Sequence, residues 1–234
     1  MKEEEHTFAS DALGNRRTIW VTVPDPSPSA PLPLVLVLDG EIYREKVGAP
    51  EVIEQLSEAG EIAPALVVYV SHASPEARWR ECPCHPPFAT FVTKELLPWI
   101  EARNSKTSDA TDRVIVGLSY TGLAAAFVAL ESDAPFTKVI AQSGSFWSDD
   151  CQLARDVERR GKRPSAAFCL SVGKNEVQAP IRHKPGLVQE ISQIAGVERF
   201  RDALHSLDAP VAFRPFDGGH HQDAWRADLP HALK

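Results

Sequence analysis

The stretch RVIVGLSYTGLAAAFVAL, residues 113–130, decides how the rest of the chain is read. RVIVGL is an apolar, β-branched run. SYTG has the composition of a tight turn, and GLAAAFVAL is helix-forming and apolar on every side. A strand buried on both faces, followed by a turn and a buried helix, is the unit from which helix-covered parallel sheets are built. Ser119 stands in the turn, between Gly117 and Gly122. A serine there either caps the helix or is a nucleophile held up on a strained strand-to-helix turn.

Similar runs recur on both sides of it: LVLVLD (34–39), ALVVYV (65–70), KVIAQSG (138–144), AAFCLSVG (166–173) and VAFRPFDGG (211–219). Helical patterns fall between them in FATFVTKELLPWIEAR (88–103) and GLVQEISQIAGVERFRDALHS (186–206). The second carries Leu187, Ile191, Ile194 and Phe200 at roughly helical spacing. Upstream, RRTIWVTVP (16–24) alternates as a strand does, DALGN (11–15) reads as a hairpin turn, and PDPSPSAPLP (24–33) reads as a surface loop. Alternating strands and helices with no internal repeat predict one α/β domain over residues 1–234, with a mostly parallel central sheet flanked by helices.

Composition narrows the function classes. The 234 residues are 43% hydrophobic and 24% charged, enough apolar material for a sizeable core. A net charge of −7 disfavours a nucleic-acid surface. The first ten residues, MKEEEHTFAS, carry neither the basic nor the apolar segment of a secretory signal, and no apolar run is long enough to span a bilayer. Cys82, Cys84, Cys151 and Cys169 lack zinc or redox spacing and read as free thiols. The expectation is a cytoplasmic protein, monomer or homodimer, with no membrane or nucleic-acid partner.

In open α/β sheets ligands gather beyond the carboxyl ends of the strands. There the sequence places Asp39-Gly40-Glu41, Ser71-His72, Ser119, Ser145-Phe146-Trp147, Asn175-Glu176 and His220-His221. A serine, then an acid, then a histidine is the chain order of an α/β-hydrolase triad. A serine hydroxyl is a weak nucleophile until an imidazole takes its proton, and the imidazole needs a carboxylate to fix its tautomer. The turn matches G-x-S-x-G only in part, because Thr121 stands where the second glycine belongs and Gly122 follows one residue later.

The segments VIVGLSYTGLAAAFVAL and FTKVIAQSGSFW resemble the ferric enterobactin (enterochelin) esterase family, the siderophore trilactone hydrolases within the wider esterase D group. PLVLVLDGE, RWRECPC…FATFVTKELLPWI and FDGGHHQDAW are similar to the family's segments in the same order, from about Leu34 onward. The likeness implies an α/β-hydrolase fold, a short catalytic-domain-only member, a small-molecule ester substrate, and no metal or organic cofactor. It implies Ser119 as nucleophile and His220 as base. His221 stands where the family usually has Asp. It favours Glu176 as the acid, with Asp217 and then Asp223 as competitors, and also admits a Ser–His dyad. Backbone N–H groups of Tyr120 and of Gly40 or Glu41 would form the oxyanion hole. Arg80 and Arg78 are the expected substrate-binding arginines. Trp79, Trp147 and Trp225 are expected walls for aromatic rings, and Arg182, His183 and Lys184 are further cations if they converge on the cleft.

The expected activity is a serine esterase opening ester or lactone bonds of a siderophore-like or other oligo-ester. The alternatives are an esterase D-type carboxylesterase or thioesterase, an acyltransferase or cyclase in natural-product biosynthesis, and a non-catalytic binding module.

Overall fold

In a computed structural model, which describes residues 1–25, 30–104, 112–131 and 135–234, the chain builds one eight-stranded sheet and a two-stranded ribbon. The strands are β1 (Lys2–Ser10), β2 (Asn15–Val23), β3 (Leu34–Leu38), β4 (Leu66–Val70), β5 (Arg113–Leu118), β6 (Lys138–Gln142), β7 (Ala167–Gly173), β8 (Ile181–Lys184), β9 (Leu187–Gln189) and β10 (Val211–Phe216). The helices are α1 (Gly40–Ile42), α2 (Ala49–Glu58), α3 (Pro75–Glu81), α4 (Pro86–Thr90), α5 (Leu97–Arg103), α6 (Ser119–Leu130), α7 (Ser148–Arg160), α8 (Gln193–His205) and α9 (Gln222–Leu233). Wider π-type turns at Tyr43–Val47 and Phe91–Leu96 follow α1 and join α4 to α5.

The large sheet runs β1-β2-β4-β3-β5-β6-β7-β10. From β4 to β10 every pair is parallel; β1 and β2 are antiparallel additions at one edge. This is the mostly parallel sheet that the apolar runs predict, in the α/β-hydrolase arrangement that the resemblance implies. Every residue of β4 is buried, as the unbroken LVVYV requires. Helix α6 is buried along nearly its whole length and closes one face of the sheet with α8, whose Val197, Phe200 and Leu204 join the same apolar cluster. Tyr43, Ile53, Trp225 and Leu229 pack on the opposite face.

Two segments differ from expectation. The acidic N-terminus is not merely a polar lead but strand β1, paired along its length with β2 from Lys2↔Val23 to Ser10↔Asn15. Its glutamates face solvent at an edge that tolerates charge, while Phe8 and Ser10 turn inward. The expected helix over 186–206 is shorter. Gly186 (φ 79°) turns the chain into β9, and α8 starts only after Ser192, whose hydroxyl accepts from Ala195 N at 3.3 Å. The hairpin turn after β1 forms as read. The Pro/Ser connection lies partly outside the described residues, at 26–29.

Strand order reverses direction at β3, with β4 on one side and β5 on the other. The crevice at such a switch point is where these folds seat ligands. Three adjacent strands end there in a residue with left-handed backbone: Asp39 after β3 (φ 54°), Ser119 after β5 (φ 52°) and Ser143 after β6 (φ 47°). Each turn lifts a polar side chain off the strand end.

Candidate active site

Ser119 is the first residue of α6, held in a conformation that costs a non-glycine residue energy. Its neighbours make the turn possible. A Cβ on Gly117 would collide with the Thr121 carbonyl. A Cβ on Gly122 would come within 3.0 Å of Gly144 Cα in the turn after β6. The glycine missing from the expected motif is replaced by a working side chain. Thr121 Oγ1 accepts from Leu118 N at 3.0 Å and lies 2.9 Å from Asp39 Oδ2, tying the turn to the end of β3.

His220 follows β10 and reaches back to Ser119, with Nε2 at 3.0 Å from Oγ. Its Nδ1 lies 2.6 Å from Glu176 Oε2. A carboxylate only accepts, so Nδ1 donates to Glu176 and Nε2 is left free to accept the serine proton. Glu176 is buried, and its other oxygen accepts from Ser143 Oγ at 2.6 Å and Gly173 N at 2.7 Å. Ser143 in turn accepts from Trp225 Nε1 at 3.0 Å, and the Trp225 ring stands edge-on to His220. Acid and base are thus each held from a second direction.

The competing residues lie elsewhere. Asp217 is exposed and paired with Lys174, and Asp223 is exposed. His221 caps α9 by accepting from Ala224 N. Tyr120 follows the serine in the first turn of α6, and Gly40 and Glu41 open α1 at the end of β3. Such first-turn N–H groups have no partner within their own helix.

A cavity of about 500 Å³ opens over Ser119. Trp79, Tyr120, Trp147 and His183 form its aromatic wall, with Trp79 edge-on to Tyr120 at 4.9 Å and Trp147 stacked on His183 at 5.0 Å. Lys184 Nζ lies 5.0 Å above the Trp79 ring. Of the two expected arginines, Arg78 lines the cavity and grips Asp39 through three contacts of 2.7–3.1 Å. Arg80 is outside the lining; its side chain is 61% exposed and pairs with Glu81. The reason is helical phase: two residues along α3 turn a side chain through about 200°. Arg182 is exposed and Trp225 packs behind the base, so neither forms part of the wall.

Asp39 is the hub that sequence alone did not single out. It is fully buried, and burial alone would raise its pKa. The Arg78 charge and hydrogen bonds from His72 and Arg78 outweigh that and bring it down to about 2. His72 Nδ1 lies 2.9 Å from Asp39 and its Nε2 3.1 Å from Glu41. The roles of Ser143 and Gln193 were also not legible. Gln193 accepts from Trp147 Nε1 and donates to the carbonyls of Ser143 and Gly144, holding the turn after β6. Their only signal was position near a strand end or helix start.

Comparison with known proteins identifies the family. The model of a family described as putative esterase matches residues 10–234. An iron(III) enterobactin esterase of Dickeya dadantii is 33% identical over 228 residues, covering 95% of this chain and 52% of that protein. Its counterpart in Escherichia coli strain CFT073 is 28% identical, covering 98% and 56%. A crystal structure of the Shigella flexneri enterobactin esterase in the presence of enterobactin superposes with a TM-score of 0.84 at 26% identity, covering all of this chain and 58% of that one. The chain therefore spans about half the length of the curated relatives it matches.

Proposed function

Because the chain belongs to the putative esterase family, we propose that it is a serine hydrolase that cleaves carboxylic ester bonds through an acyl-enzyme on Ser119. One observation carries this reading: the continuous path from Ser119 Oγ to His220 Nε2 at 3.0 Å and from His220 Nδ1 to Glu176 at 2.6 Å. Ser119 attacks the ester carbonyl while His220 takes its proton. Glu176 holds the imidazole in the right tautomer and stabilises the imidazolium. The carbonyl oxygen, now negative, accepts from Tyr120 N–H and from Gly40 or Glu41 N–H; such a donor is worth about 3 kcal/mol in the transition state. Collapse breaks the carbon–oxygen bond, and His220 gives the proton to the departing alkoxide. Water, deprotonated by His220, then attacks the acyl-enzyme, and the proton returns to Ser119 as the acid leaves.

The substrate we propose is a siderophore-like or other oligo-ester or lactone. The relatives are named for iron(III) enterobactin, and the ring-lined cavity with Arg78 and His183 at its wall, and Lys184 over the Trp79 ring, suits an aromatic, anionic ester. Iron, where present, arrives with the substrate.

The test is direct. A fluorophosphonate probe labels the protein, and Ser119→Ala abolishes labelling and lowers kcat on p-nitrophenyl butyrate by at least about three orders of magnitude. Labelling that persists in Ser119→Ala refutes the mechanism. Mass spectrometry of reactions with a catecholate trilactone, its linear ester and an acyl thioester then ranks the substrates.

A further inference from the structure

The turn proposed to supply the second oxyanion donor carries two carboxylates, Asp39 and Glu41, on either side of Gly40. Negative charge beside a developing oxyanion opposes catalysis. Arg78 answers Asp39, as described. The Arg78 charge acts on Glu41 only through space, with no ion pair or hydrogen bond to it among the described residues; Glu41 is itself part-buried, and its Oε2 has no hydrogen-bond partner there.

His72, at the end of β4, lies between the two. One ring nitrogen meets Asp39 at 2.9 Å and the other Glu41 at 3.1 Å, and its backbone N–H lies 3.3 Å from the same Glu41 oxygen. Only the imidazolium has an N–H for each carboxylate; neutral imidazole turns a lone pair toward one of them. With His72 charged, two anions face two cations. With His72 neutral, one negative charge remains at the turn. The other charged groups packed here are already paired: Arg17 of β2 with Glu81 at 2.9 Å, and Glu81 with Arg80 of α3 at 2.8 Å.

We propose that His72 is a positioning residue that must be protonated for the oxyanion turn to work. Its proton balances Glu41 and clamps both sides of Gly40, so the rate depends on a second histidine that touches neither substrate nor nucleophile. The inference rests on the assignment of Gly40 and Glu41 to the oxyanion hole.

The experiment is a pH–rate profile with uncharged p-nitrophenyl butyrate on wild type, Glu41→Gln, His72→Gln and the double variant. In wild type kcat falls at alkaline pH, the outcome expected if the proton that lets His72 donate to both Asp39 and Glu41 is needed. Glu41→Gln removes the charge that needs balancing, so its profile rises to a plateau. His72→Gln lowers kcat about tenfold at the wild-type optimum, with KM within about twofold. The same change made in Glu41→Gln costs at most about threefold. A falling limb that persists in Glu41→Gln, an equal loss from His72→Gln in both backgrounds, or a wild-type profile with no falling limb overturns the proposal. Glu41→Gln alone decides the matter if His72→Gln does not fold. Failure of the esterase reading itself is distinct, because it shows as activity or probe labelling that survives Ser119→Ala.

Discussion

Glu176 separates two ways of holding the base. Its carboxylate accepts from His220, Ser143 and the Gly173 N–H, so every contact needs an acceptor. Glu176→Gln keeps the shape but offers an N–H where a donor already points. It should lower kcat on p-nitrophenyl butyrate by about 10²–10⁴-fold, less than Ser119→Ala or at most equal to it. Asp217→Asn should leave the rate within about twofold, because Asp217 is a solvated partner of Lys174. If the two variants exchange phenotypes, the acid has been misassigned. At this scale much of the site was legible: Ser119, Glu176 and His220 each follow a strand run that announced itself. The choice between His220 and His221 was legible only through likeness to the family. Neighbouring residues in a loop can face opposite ways, and the direction is set by what the loop packs against.

At the scale of the element, the β5–α6 turn shows why a broken motif still folds. The turn needs no side chain at Gly117, where a Cβ meets backbone, and close approach at Gly122, where α6 packs on the turn after β6. Position 121 needs neither, so Thr121 can occupy it and bond to Asp39. Gly117→Ala is therefore expected to destabilise the protein by more than about 2 kcal/mol in urea unfolding and to slow fluorophosphonate labelling, since the serine is carried on that turn. Gly60 also has a positive φ, of 69°, but has open space around its Cβ position. Gly60→Ala should cost only about 1 kcal/mol and leave labelling unchanged. Equal effects at both glycines would show that the elbow has room to spare. Element boundaries were less legible than element types. The helical spacing of Leu187, Ile191 and Ile194 is also met by a short strand and a cap, because a segment this short with few apolar positions satisfies either period.

For the molecule as a whole, the buried Asp39 hub links stability to pH. Its pKa, lowered from the usual 3.8 to about 2, means that the folded state releases this proton more readily than the unfolded chain. The stabilisation is fully present above about 3.8 and is lost as pH falls toward 2; for a shift of that size it is about 2 kcal/mol. Asp39→Asn should lower unfolding free energy at pH 7 by at least about that amount, since Arg78 also loses its partner. The gap between wild type and variant in denaturant melts should narrow as pH drops through this window. A gap that stays constant from pH 7 to pH 2.5 would mean that the pair contributes no net ionic stabilisation.

What the sequence determined by itself is the order of the strands along the chain, the burial of those with unbroken apolar runs, and the identity of the polar residues that end them. Those follow from local rules, because hydrophobic pattern and turn chemistry are written in consecutive residues. The tertiary structure decided which of those ends are neighbours. β3 and β5 lie side by side although Leu38 and Arg113 are far apart in the sequence, and so Asp39 meets Thr121. It also turned Arg78 toward the cavity and Arg80 to solvent, and placed His72 between two carboxylates. Such contacts depend on strand pairing and helix phase, which are settled by the packing of the whole core and leave no mark in the spacing of the residues that make them.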